Sequence, residues 1–97
     1  MKLEQIIKEK SGTIVDVRTA GEFMGGNVQE SVNIPLQELQ QRLDEVKKLK
    51  TPLVLCCASG GRSAMATQFL LSHGIECLDG GSWMNVNYYH SQNNAVL

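Results

Sequence analysis

Apolar and polar positions along this chain fall into blocks that switch between helical and strand periods. Leu3, Ile6 and Ile7 recur at helical spacing among charged residues, which predicts a short amphipathic helix ended by Ser11-Gly12. Thr13 to Val17 is β-rich and nearly all apolar, the pattern of a strand covered on both faces. Thr19-Ala20-Gly21-Glu22 predicts a capping box, in which the Thr19 hydroxyl and the Glu22 carboxylate each accept from the other's free amide. Gly25-Gly26 closes that helix, and Val32 to Ile34 forms a second brief strand. Pro35 opens the next helix, where its missing N–H is not needed, and Leu36, Leu39, Leu43 and Val46 carry the pattern to Leu49. Leu53 to Cys57 reads as the most buried strand. The helix after it packs through Ala66, Phe69 and Leu70 and stops at Gly74. Ile75 to Leu78 predicts a fourth strand, and a last short helix includes Trp83. The polar run Ser91-Gln92-Asn93-Asn94 makes residues 88–97 an expected frayed tail.

Strand–helix alternation at this spacing predicts an α/β fold. It has three α/β/α layers around a small, mainly parallel sheet of four to five strands. No repeat, low-complexity run or linker divides the chain, so residues 1–97 read as a single domain.

Composition narrows the partners. A chain of 97 residues buries one core with little to spare. A net charge of −1 gives no electrostatic case for nucleic acid or an anionic membrane. No stretch approaches the roughly 20 apolar residues that span a bilayer, and Met1-Lys2-Leu3-Glu4-Gln5 lacks the apolar core of a signal peptide. The expected compartment is the cytoplasm. The three cysteines are an odd number without disulfide-framework spacing, which favours free thiols. Cys56, Cys57 and Cys77 form no C-x-x-C pair, and His73 and His90 are isolated, so no metal site is expected.

The chemistry concentrates in Cys57-Ala58-Ser59-Gly60-Gly61-Arg62-Ser63, between the most buried strand and a helix. Two glycines let the chain curl back around the sulfur. The loop amides, the positive end of the helix and Arg62 all favour negative charge at one point, which makes Cys57 a thiolate nucleophile in an anion-binding cradle. Ala58 and Ser59 contribute backbone amides, Arg62 holds the loop or an anionic substrate, and Ser63 is an N-cap. Cys56 points to the opposite strand face and reads as core, as does Cys77. Asp16 and Arg18 end a central strand near the site, where pairing of nearby loops is a better assignment than chemistry. Trp83 reads as core and His73 as a satisfied surface residue.

C-x-x-G-x-R-S resembles the active-site loop of the rhodanese-like sulfurtransferases, and other stretches agree in order. Ile14-Val15-Asp16-Val17-Arg18 looks like the family's (I/V)DVR strand, followed by Glu22-Phe23. Ser31-Val32-Asn33-Ile34-Pro35 looks like its A-x-N-I-P segment, and Leu78-Asp79-Gly80-Gly81-Ser82-Trp83 like its closing L-x-G-G-x-x-x-W stretch, here with the tryptophan close behind the glycines. The resemblance implies a sheet in which strand 13–17 neighbours 53–57, with 31–34 and 75–78 outside them. Cys57 then falls at the carboxyl edge where strand order reverses. It also implies a sulfurtransferase that moves a sulfane sulfur from a donor such as thiosulfate through a Cys57 persulfide to cyanide or a thiol, without metal or organic cofactor. A persulfide carrier for a partner protein needs the same cysteine and stays open. A phosphatase or arsenate reductase of related fold uses the longer C-x5-R loop, whereas four residues separate Cys57 from Arg62 here. Two departures stand out. Gly26-Asn27-Val28 replaces the family's G-H-I, so a histidine that lines the site has no counterpart. There is almost no room for the family's extra first strand, which leaves a sheet edge bare and the oligomeric state open.

Overall fold

The hydrophobic blocks fold around a four-stranded sheet in the computed structural model, which describes residues 2–92. Helix α1 spans Leu3–Glu9, strand β1 Thr13–Asp16, helix α2 Ala20–Met24 and strand β2 Val32–Asn33. A 3-10 turn at Leu36–Glu38 leads to α3, Leu43–Lys47, then β3, Leu53–Cys57, and α4, Gly61–Ser72. Strand β4, Cys77–Ser82, and α5, Trp83–Gln92, complete the described chain. The strand order is β2-β1-β3-β4, as the resemblance implied, and every pairing is parallel, as the strand–helix alternation predicted. Among the described residues no helix is long and apolar enough to cross a membrane.

Strand β3 is central and wholly buried, and its side chains divide between two cores. Leu53, Leu55 and Cys57 face Leu39, Val46, Ala66 and Leu70 on the α3–α4 side. Val54 and Cys56 face Ile6, Ile7 and Val86 on the α1–α5 side. Each fully buried leucine in this strand contributes about 1.5–3 kcal/mol. Side-chain alternation along one strand therefore separates the two adjacent cysteines.

Three elements differ most from the sequence pattern. The helix expected from Pro35 to Leu49 breaks into the 3-10 turn and α3. Residues 36, 39, 43 and 46 still reach the core, because their spacing suits a turn followed by a helix as well as one continuous helix. The fourth strand is Cys77–Ser82 rather than Ile75 to Leu78; its pairing with β3 starts at Cys77 and continues past Leu78, where Gly80 is a bulge that re-registers β4 on β3 between Leu55 and Cys56. A Cβ at Gly80 would lie 2.8 Å from methyls of Val54 and Val86 and 2.9 Å from the Leu55 carbonyl. Only glycine fits where the backbone passes this close. Finally, residues 88–92, in the expected tail, lie in α5, with Val86 and His90 buried against α1 and the sheet. The remainder of the expected tail lies outside the described residues.

Candidate active site

Cys57 is the last residue of β3, so its sulfur emerges at the carboxyl edge of the sheet beneath the following loop. Only 1% of the residue is exposed. Gly60 makes the loop close: its φ of 108° is a conformation that L residues rarely adopt, and it brings the chain back over the sulfur as the N-cap of α4. The Gly60 amide then donates to Cys57 Sγ at 3.0 Å and the Ser63 amide at 3.3 Å. Burial pushes the Cys57 thiol up, but the Ser63 hydroxyl and the Ser63, Gly60 and Ser59 amides outweigh it and hold the thiol below its ordinary value. The sulfur sits where a first helical turn offers its unpaired N–H groups.

Each residue of the sequence motif has a definite place. Ala58 and Ser59 are exposed at the crest of the loop, and Gly61 is the first residue of α4. Ser63 is not the N-cap; it is buried inside the first turn, with Oγ 3.5 Å from Cys57 Sγ and 3.1 Å from the Gly60 carbonyl. Arg62 does not hydrogen-bond the sulfur. Its guanidinium donates to both oxygens of Glu22 at 2.7 and 3.0 Å. The charge expected to face the thiolate is thus matched by a carboxylate, and Arg62 ties α4 to the start of α2. The Arg62 hydrogen bond leads the causes that depress the Glu22 carboxyl to about 2, aided by the capping box with Thr19.

Asp16 and Arg18 form a buried pair, with Nη2 2.7 Å from Oδ2. Arg18 also donates to the Gly26 carbonyl at 2.6 Å and lies 4.6 Å from the centre of the Trp83 ring. Asn33 donates to the carbonyls of Asp16 and Arg18 at 3.0 and 2.9 Å. This cluster fixes the end of β1 beside Cys56, and it leaves neither charge free. Asn27, which stands where the family motif has histidine, donates to the Phe23 carbonyl at 2.9 Å and so finishes α2. Burial, followed by the Asp16 charge, raises the Cys56 thiol far above its usual range, and burial raises Cys77. Of the three cysteines, Cys57 alone is shifted toward the thiolate.

One site residue escapes the motif. Asp79 Oδ1 accepts from Ser63 Oγ at 2.8 Å and from the Gly81 amide at 3.0 Å. A signal existed: strand 75–78 was expected beside 53–57, so a polar residue at its carboxyl end falls beside the loop.

The arrangement can hold an anionic sulfur on backbone donors and present it at a strand end. The family model for the rhodanese-like domain matches residues 2–83. The uncharacterized protein YqhL of Bacillus subtilis is 38% identical over 65 residues, covering 67% of this chain but 51% of its own length. The thiosulfate sulfurtransferase GlpE of Shewanella oneidensis is 31% identical over 91 residues, 89% of each chain. This chain thus spans about half of the one relative and most of the other. A rhodanese-related protein from Thermoplasma volcanium has a TM-score of 0.73 and 31% identity over 84% of this chain and 80% of its own. With the parallel sheet, the sulfur cradle and these matches together, the chain belongs to the rhodanese-like domain family.

Proposed function

We propose that this protein is a sulfurtransferase that carries a sulfane sulfur on Cys57. The observation that carries the reading is the Cys57 sulfur itself, with amides of Gly60 and Ser63 at 3.0 and 3.3 Å and a thiol held below its ordinary value. With thiosulfate as donor, the Cys57 thiolate attacks the outer sulfur. The bond between that sulfur and the sulfite group breaks, and sulfite leaves with its electron pair. The product is an anionic Cys57 persulfide. Cyanide or a thiol, including the thiol of a partner protein, then attacks the outer sulfur and Cys57 departs as thiolate. No proton moves in the cyanide reaction, so no general base is needed. The same amides, aimed at Cys57 Sγ, support negative charge on the persulfide that forms there.

The kinship with a named thiosulfate sulfurtransferase supports thiosulfate as the first donor to assay. The four-residue loop supports the choice of sulfur over a tetrahedral phosphate, since it closes tightly on a single atom. The buried free thiols suit a reducing cytoplasm. Thiocyanate formation from thiosulfate and cyanide tests the proposal. Turnover lost in Cys57→Ser and kept in Cys56→Ser is the expected result, and turnover retained without Cys57 overturns it.

A further inference from the structure

Ser63 Oγ has one hydrogen to donate and three acceptors around it. Asp79 Oδ1 is 2.8 Å away, the Gly60 carbonyl 3.1 Å and Cys57 Sγ 3.5 Å. A carboxylate only accepts, and its charge-assisted hydrogen bonds are the short, strong ones. While Cys57 is a neutral thiol, the Ser63 hydrogen therefore lies on Asp79, and the Cys57 S–H donates to the Ser63 oxygen. Ionisation changes the contest. A thiolate cannot donate, so the Ser63 oxygen faces it with a lone pair unless the hydrogen leaves Asp79 and turns to sulfur. The Gly81 amide at 3.0 Å keeps the Asp79 carboxylate in place for either arrangement.

We propose that Asp79 is a positioning residue for sulfur transfer, competing with the Cys57 sulfur for the single Ser63 hydrogen. The inference rests on the sulfurtransferase reading above. The two half-reactions make opposite demands. In uptake the thiolate attacks, and a thiolate spared one hydrogen bond is the stronger nucleophile, because nucleophilicity falls with thiol pKa. In release the bond between Sγ and the outer sulfur breaks and its electron pair stays on Sγ, which a hydrogen turned toward Sγ assists. Asp79 keeps a share of that hydrogen during uptake, so the Ser63 hydroxyl stabilises the thiolate less than it could, and Ser63 lends it more fully during release. The other charged groups facing the site, Arg62 with Glu22 and Arg18 with Asp16, already carry their counter-charges.

Asp79→Asn keeps an oxygen for the Gly81 amide and removes the charged competitor. In a Cys56→Ala, Cys77→Ala background, the Cys57 pKa should fall by about half a unit, modest because Asp79 is exposed and its charge screened. Single-turnover uptake from thiosulfate, scaled to the thiolate fraction, should slow by about 1.5- to twofold, from the dependence of nucleophilicity on pKa. Release to cyanide should quicken. In a Ser63→Ala background the same Asp79 change should lose most of its effect on the pKa, because the hydroxyl that transmits it is gone. An unchanged or raised pKa in Asp79→Asn overturns the proposal, as does an equal shift with and without Ser63. A third measurement needs no variant. The carboxyl-carbon NMR signal of Asp79 in the wild type should move as Cys57 titrates, and a signal that stays still through that titration also overturns it. Failure here would leave Cys57 turnover intact, whereas failure of the sulfurtransferase reading would abolish it.

Discussion

Two adjacent glycines give the sharpest test of the cradle, because the structure assigns them opposite roles. Gly60 has φ 108°, and a Cβ there would meet only the Gly81 Cα, at 3.9 Å. The effect of Gly60→Ala is therefore backbone strain rather than collision, about 1–3 kcal/mol for a residue forced into that region. For a domain of this size that lowers Tm by roughly 4–8 °C per kcal/mol. The strain is relieved by swinging the loop, which draws the Gly60 amide away from the sulfur it now meets at 3.0 Å. A hydrogen bond to a charged group contributes about 1.5–3 kcal/mol, or one to two pKa units if wholly lost. Since the Ser63 and Ser59 amides remain, a rise of about one unit is expected for Cys57. Gly61 opens α4 with no positive φ and open space around its Cβ position, so Gly61→Ala should change the pKa and Tm little. The assay is thiolate absorbance against pH in the Cys56→Ala, Cys77→Ala background, with thermal melts of the same samples. A Cys57 pKa that Gly60→Ala leaves in place, or that Gly61→Ala raises as much, would refute the amide cradle.

Other residues extend the test. Arg62→Ala should raise the Cys57 pKa less than Gly60→Ala does, because Glu22 already matches the arginine; a larger rise would return Arg62 to the thiolate. The Tm difference between wild type and Arg62→Ala should close as pH falls from the ordinary carboxylate range toward about 2, where Glu22 protonates in the fold. Gly80→Ala should destabilise by about 1–3 kcal/mol in urea unfolding through overpacking against Val54 and Val86, and native stability would contradict the close approach at the bulge. Burial lowers the His90 pKa, with the Lys10 charge adding to it, so the unfolded chain takes up a proton first as pH falls through about 6.5 and stability declines there. His90→Gln should flatten that decline in melts across the range.

Much of this was legible in the residues themselves. The Thr19–Glu22 capping box forms because its two groups are three residues apart and need nothing from the rest of the fold. Strand β3 was readable because an apolar run bounded by a glycine loop has few alternatives, and alternation put Cys56 and Cys57 on opposite faces. The strand order came from the family motifs rather than from periodicity. What could not be read depended on contacts between distant segments. Ser63 at the head of a helix looks like a cap, and only the φ of Gly60 shifts the cap upstream and turns Ser63 inward. Arg62 meets Glu22 across 40 residues of chain, which no local pattern reports. The extent of the last helix was hidden for a similar reason. Polar residues after Tyr89 look solvated, yet the helix continues because His90 packs against the fold.

In the proposed reaction Cys57 carries the transferred sulfur. Intact-mass measurement after incubation with thiosulfate, followed by peptide mapping without reductant, tests it most directly. One added sulfur atom is expected, on Cys57, that cyanide removes and that Cys57→Ser does not acquire. Sulfur found on Cys56 or Cys77, or still taken up by Cys57→Ser, would contradict it.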